Sequence, residues 1–321
     1  MELGICSSLY GDLDLQHALD LYAGLGIKAV EIYSGSLGEP RHIDVEAVLN
    51  DKNKAESYLD EFRKRGLHIG SLNCVGNPVH PDENIASRHQ KSFINTVLLC
   101  EKLGVDKIIV FSGTPGGGRS DKTPNWITCP WPEEHLTMLD YQWNEVLVPY
   151  WTQAAAFARE HGIFKIGFEM HPGFCVYNPE TLLKLRSLIG PEIGANFDPS
   201  HLMWQGMDPA LAVLELNNAI FSVHAKDVYV NDDFIKRNGV NDAKHYSNAS
   251  KRAWTFRTVG YGHGEDVWKR IISALMTVGY DGALNIEHED MFMARKEGLT
   301  KAVDFLKGII INEKPEGMWW A

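Results

Sequence analysis

Long hydrophobic runs are missing from this 321-residue sequence. No apolar stretch approaches the ~20 residues that would cross a bilayer as a helix. The N-terminal MELGICSSLYGD has no basic region followed by an apolar segment. These absences argue against a signal peptide or a membrane anchor, and cytoplasm is the expected location. Cysteine is sparse: Cys6, Cys74, Cys100, Cys129 and Cys175 are odd in number, scattered and without a CxxC pair. That usage suits reduced thiols acting as small buried hydrophobes. Positive charge is also short, with 31 basic residues against 42 acidic ones and a net charge of -11. A surface of that sign repels a phosphate backbone, so nucleic acid is not an expected partner. No Pro/Ser-rich linker divides the chain, and residues 1–321 read as one domain.

What is present is apolar material for a large core: 44% of residues are hydrophobic and nine are tryptophan. Short β-rich runs alternate with amphipathic ones, LGICSS, KAVEIYS, HIGSLNC and KIIVFSG in the first half, KIGFEMH, IGANFD, FSVHAKD and GALNIEHE in the second. Between them lie helical patterns near residues 12–25, 52–65, 85–103, 141–161, 179–189, 209–216 and 265–278, and a last one running to about residue 311. Gly26, Gly66, Gly104, Gly162 and Gly279 precede strands where helix C-caps are expected. Eight βα units close into a (β/α)8 TIM barrel, the α/β fold expected here. The competing open doubly wound sheet would show a Gly-rich dinucleotide fingerprint after its first strand, where this chain reads SSLYGDLD.

Two connections are too long for simple turns, one after strand 4 (residues 114–139) and one after strand 7 (residues 228–258). Barrel enzymes place such loops over the active site. GTPGGGRSD in the first lacks the Gly-Lys-Ser/Thr of a phosphate loop and leads into PNWITCPWP rather than a helix.

Polar residues accumulate at four consecutive strand ends: Glu169 in FEMHP, Asp198 in NFDPSH, His224 in VHAKD and Glu287 in NIEHED. Three carboxylates brought that close would raise one another's pKa values, and a divalent cation is the simplest arrangement that keeps all three ionised. Oxygen and nitrogen ligands without thiolate favour Mn²⁺, with Mg²⁺, Co²⁺ or Fe²⁺ as alternatives. A salt-bridged polar mouth without metal is the competing reading.

These segments resemble the xylose isomerase-like barrels of the sugar phosphate isomerase/epimerase family, which include ketose 3-epimerases and inositol-pathway isomerases and dehydratases. The resemblance spans nearly the whole chain and implies one divalent metal held by Glu169, Asp198, His224 and Glu287. It also implies that Glu169 and Glu287 exchange substrate protons and that His201 contacts substrate oxygens. The sequence departs where those epimerases place an Arg beyond the strand-7 His, since HAKDVYV puts Lys226 and Asp227 there. A narrower resemblance, carried by PNWITCPWPEEHLTMLDYQWNEVLVPYW with EMHP, is to the larger subunit of bacterial C-glycoside deglycosidases. It implies a 3-oxo-C-glycoside substrate and a small β-rich partner subunit.

All these activities begin with removal of a proton beside a carbonyl. Elimination would make the enzyme a C-glycoside lyase, whereas reprotonation at carbon would make it a sugar or inosose isomerase or epimerase. His171 shares a strand face with Glu169, and reads either as a base or as a partner orienting that glutamate. Lys226 can neutralise an oxyanion or pair with Asp227 or Glu287. His263 in GYGHGED is a substrate-site candidate or a plain loop residue. Trp126, with Trp131 and Trp254, is a candidate for stacking on a sugar or aromatic aglycone, or for packing a lid onto the barrel. A non-catalytic metal- or sugar-binding subunit is the reading from another class. In it Trp319 and Trp320 would suit an interface, either with a partner subunit or in a homo-oligomer.

Overall fold

In a computed structural model describing residues 1–313, 316–318 and 320, eight parallel strands close into a barrel. They are β1 (Glu2–Cys6), β2 (Ala29–Tyr33), β3 (His68–Asn73), β4 (Lys107–Val110), β5 (Lys165–Glu169), β6 (Ile193–Phe197), β7 (Ile220–Ala225) and, as the last barrel strand, β10 (Ala283–Ile286). Between β7 and β10 the chain leaves the barrel to form an antiparallel pair, β8 (Asp227–Val230) and β9 (Trp254–Arg257). The (β/α)8 architecture is therefore present, closed by pairing of β1 with β10.

The surrounding helices are α1 (Leu15–Gly24), α2 (Val45–Asn50), α3 (Lys52–Arg63), α4 (Glu83–Leu103), α5 (Glu134–Asp140) and α6 (Val148–Glu160). The second half adds α7 (Pro179–Ile189), α8 (Pro199–Met203), α9 (Pro209–Leu216), α10 (Asp232–Asn238), α11 (Glu265–Thr277) and α12 (Arg295–Ile309). Their starts are written locally: Asp14, Asp82 and Asp208 accept hydrogen bonds from first-turn amides, and Asn178 with Thr181 forms a capping box. All five glycines ahead of strands adopt positive φ, between 66° and 80°, where a side chain would be strained. Among the described residues, no helix is long and apolar enough to cross a membrane.

Three local features differ from the periodicity. The pattern over 141–161 is two pieces, a wide turn at Tyr141–Leu147 and then α6, with Pro149 in its first turn where an N–H is dispensable. The long connection after β7 is not an open loop: Val228 opposes Phe256 and Val230 opposes Trp254 across the β8–β9 pair, which holds α10 at its tip. In the connection after β4, Asp121 takes up the Gly117 amide, so GTPGGGRSD folds on its own aspartate rather than around an anion. Trp319 lies outside the described residues, and Trp320 is exposed.

Register neighbours in a parallel sheet point to the same face. Cys6, Glu31 and Ser71 are aligned on β1, β2 and β3, as are Glu169, Asn196 and Ser222 on β5, β6 and β7. This polar set fills part of the barrel interior and tightens it. At Gly4 an added Cβ would lie 2.1 Å from the Asn285 side-chain oxygen, so only glycine fits beside β10.

Candidate metal centre

Each side chain of the strand-end quartet is placed by a simple local rule. Glu169 is the last residue of β5, His224 lies one residue before the end of β7, and Glu287 follows β10 directly. Asp198 sits just past β6 as the N-cap of α8, where its Oδ1 accepts from the Ser200 amide at 2.8 Å. Its other oxygen is thereby turned inward. His201, one helical turn on, faces the same point, its Nε2 lying 3.3 Å from both Glu169 Oε1 and Asp198 Oδ2.

Ligand atoms of Glu169, Asp198, His224 and Glu287 all lie within 4.8 Å of one another. His224 presents Nδ1 to the group, 3.3 Å from Glu169 Oε2 and 3.0 Å from Glu287 Oε2. Lys226 reaches in from the turn between β7 and β8, with Nζ 3.3 Å from Glu287, 3.6 Å from Asp198 and 2.9 Å from the half-exposed Glu289. Glu169, Asp198, His224 and Lys226 are each buried.

The electrostatics are those of a site short of positive charge. Burial, reinforced by Glu287 and Asp198, pushes the Glu169 carboxyl up to about 8. Burial likewise raises Asp198 to about 6, with Lys226 opposing. Burial works the same way on Glu287, yet Lys226 and His224 outweigh it and hold that carboxyl well below the usual range. Burial would discharge His224, but Cys6, Glu31 and Glu287 raise it above the ordinary imidazole value. Asp198 Oδ2 and His201 Nε2 are buried without a hydrogen-bond partner. A buried carboxylate oxygen that accepts no hydrogen bond, among converging ligand atoms, fits a divalent cation, because a cation satisfies the lone pair left without one. The oxygen-rich donor set with one imidazole is the chemistry of Mn²⁺, Mg²⁺, Co²⁺, Fe²⁺ or Zn²⁺ bound at an open site.

His171 stands beside the quartet, its ring 4.1 Å from that of His201. Its hydrogen bond goes from Nδ1 to the Pro172 carbonyl at 2.6 Å, leaving Nε2 as the free, lone-pair nitrogen. Burial, then Lys226, lower its pKa to about 4, so the ring is neutral.

Sequence reasoning missed two neighbours on the far side of His224. Glu31 Oε1 lies 3.1 Å and Cys6 Sγ 3.5 Å from Nε2. Burial opposes ionisation of Glu31, but adjacent His224 and hydrogen bonds from Asn73 and Ser71 hold its pKa below normal. The available signal was a single acidic residue in the middle of the apolar strand AVEIY.

The quartet opens into a cavity of about 680 Å³ at the barrel mouth. Its lining carries Glu169, His171, Lys226 and Glu287 beside apolar Leu9, Phe111, Phe256, Met291 and Met293, with Glu289, Asp290 and Arg295 also on the wall. Tyr246 from the β8–β9 excursion covers one side, stacked on Phe256. Two of the sequence candidates are placed elsewhere. Trp126 packs edge-on against Tyr177 and lines a separate cavity of about 510 Å³ with Trp143. The insertion carrying it turns back on itself, because Gln142 ties Asn125 and Gly116 together from behind. His263 is held by Asp227 at 2.9 Å, in a clasp in which Asp227 also accepts from the amides of Gly260, Gly262 and His263 and from Trp268. Alternation along the chain after β7 turns Lys226 into the cavity and Asp227 away from it.

Residues 19–309 match the family model described as xylose isomerase-like TIM barrel. The chain is 37% identical over 312 residues to the uncharacterized protein YfiH of Bacillus subtilis (strain 168), covering 97% of this chain and 99% of that protein. Among solved structures, a D-tagatose 3-epimerase-like protein superposes with a TM-score of 0.64 at 21% identity, covering 96% of this chain and 97% of that one. The IOLI protein, solved with a bound zinc atom, superposes with a TM-score of 0.65 at 17% identity, covering 97% and 98%.

Proposed function

This chain belongs to the xylose isomerase-like TIM barrel family, and from that premise we propose that it is a divalent-metal-dependent isomerase or epimerase of a keto-sugar or related polyhydroxylated ketone. The observation that carries the reading is the inward-facing set of Glu169, Asp198, His224 and Glu287, with Asp198 Oδ2 accepting no hydrogen bond beside His201. A cation held there would polarise the substrate carbonyl and offset the charge that develops on its oxygen.

The chain's own residues supply the remaining steps. Lys226, on the cavity wall, would bind a substrate oxygen, with His201 buried behind it beside Glu169 and Asp198. Glu287, exposed toward the cavity, is the candidate to remove the proton beside the carbonyl, and Glu169 to return it on the other side. His171 offers an unprotonated nitrogen at the same wall and is a second candidate base. The fold shared with the D-tagatose 3-epimerase-like protein and the zinc-containing IOLI protein supports this class.

The apolar share of the cavity lining favours a second reading. A free monosaccharide has little to place against Leu9, Phe111, Phe256, Met291 and Met293, whereas the aglycone of a 3-oxo-C-glycoside would bury apolar surface there. Proton removal at C2 would then be followed by expulsion of the C1 aglycone. A small β-rich partner subunit or a second copy of the chain belongs to this proposal.

The experiment is incubation with ketoses, inososes and a 3-oxo-C-glycoside in D₂O, before and after chelation. Chelator-sensitive deuterium uptake into a ketose or inosose supports the isomerase or epimerase. Aglycone release shifts the assignment to the lyase. A protein that carries metal yet exchanges no proton with any of them contradicts both.

A further inference from the structure

We infer that Glu31 is a positioning residue for the metal centre, acting through the far nitrogen of His224. The inference rests on the metal-binding reading of the quartet. Glu31 sits centrally in β2 with only 1% of its surface exposed, and the register that aligns it with Cys6 and Ser71 turns it into the barrel.

Both oxygens of Glu31 are fixed. Ser71 Oγ donates to Oε2 at 2.8 Å and Asn73 Nδ2 to Oε1 at 2.7 Å. Cys6 Sγ approaches Oε1 at 3.7 Å as a weak donor. No lysine or arginine ion pair is present at this carboxylate among the described residues, so His224 is its cationic or dipolar partner. The 3.1 Å contact between Glu31 Oε1 and His224 Nε2 places a proton on Nε2. In the neutral ring that a cation would require, this leaves the lone pair on Nδ1, the atom directed at Glu169 and Glu287. Asn196 Nδ2 lies 3.1 Å from the same Nε2 and 3.2 Å from Glu169 Oε2, but an amide nitrogen only donates, so the carboxylate that accepts the Nε2 proton is that of Glu31.

A chain of strands thus carries the arrangement, from Ser71 and Asn73 on β3 through Glu31 on β2 to His224 on β7. Without Glu31 the imidazole could carry its proton on either nitrogen or rotate, and either change removes the ligand atom from the centre. A carboxylate behind a ligating histidine commonly acts this way, and its loss typically weakens metal binding 10–100-fold. The rival account makes Glu31 a brace between β2 and β3 that affects folding alone.

Glu31→Gln separates the two, because it keeps the shape and one acceptor oxygen while removing the charge. The probe is Mn²⁺, its affinity measured by competition with a chromophoric chelator, beside the melting temperature of the metal-free protein. The expected result is Mn²⁺ binding weakened by about 10–100-fold in a chain that melts close to wild type. Ser71→Ala, which frees one Glu31 oxygen, weakens Mn²⁺ binding in the same direction by a smaller factor, and gives the reading if Glu31→Gln does not fold. Mn²⁺ affinity within twofold of wild type in folded Glu31→Gln, or in folded Ser71→Ala if Glu31→Gln does not fold, overturns the inference. Wild-type protein that takes up no Mn²⁺ removes the ligand set itself, and the role of Glu31 with it.

Discussion

Replacing Lys226 with methionine tests the charge balance of the site in both its states. Nζ is buried within 3.3 Å of Glu287 and 3.6 Å of Asp198, and its third partner, Glu289, reaches solvent. Methionine preserves most of the stem but removes the ammonium, which stands 4.4 Å over the Phe256 ring, so the change is chiefly electrostatic. Removing one partner of a buried ion pair costs about 3–5 kcal/mol, because the remaining charge stays desolvated. For a chain of this size that corresponds to a fall of roughly 5–10 °C in the melting temperature of the metal-free protein. Saturating Mn²⁺ supplies the missing positive charge to the same carboxylates, and the fall should then shrink by more than half. The assay is a pair of thermal melts, one in chelator and one in Mn²⁺, for wild type and variant. An equal fall in both conditions would refute the idea that Lys226 and a cation neutralise one set of carboxylates.

Further expectations rest on the same geometry. Asp198→Asn should weaken Mn²⁺ binding by more than about 100-fold, beyond the range expected for a residue acting through a ligand, as measured by chelator competition. His171→Asn should lower deuterium exchange into substrate by about 10²–10⁴-fold with metal content unchanged; loss of metal would instead assign it to orienting Glu169. Gly4→Ala should destabilise the protein by about 1–3 kcal/mol in denaturant melts, because its Cβ would collide with the Asn285 side chain.

Much of this was legible in the sequence, for physical reasons that differ by element. α7 and α9 run from Pro179 and Pro209 to Ile189 and Leu216 as their periodicity indicates, since a capping residue and a first-turn proline mark each start. The barrel was readable because βα units repeat and each positive-φ glycine leaves only one sensible turn. The quartet was readable because parallel strands of a closed barrel deliver their C-terminal ends to one mouth, so acids and a histidine at four successive ends must meet there. Glu31 was not, because one carboxylate inside an apolar strand gives no hint of the imidazole it meets 193 residues later. Likewise β8 and β9 are four residues each, and their pairing depends on long-range apolar contacts rather than on a local pattern. Trp126 and His263 were set on flexible-looking connections, where sequence does not say which way a loop folds back.

The most direct test of the central claim is the metal content of purified protein, determined by elemental analysis after dialysis against Mn²⁺, alongside Asp198→Asn. The account predicts one divalent ion per wild-type chain and little or none in the variant. Wild-type protein that remains free of metal after refilling, while folded, would contradict it.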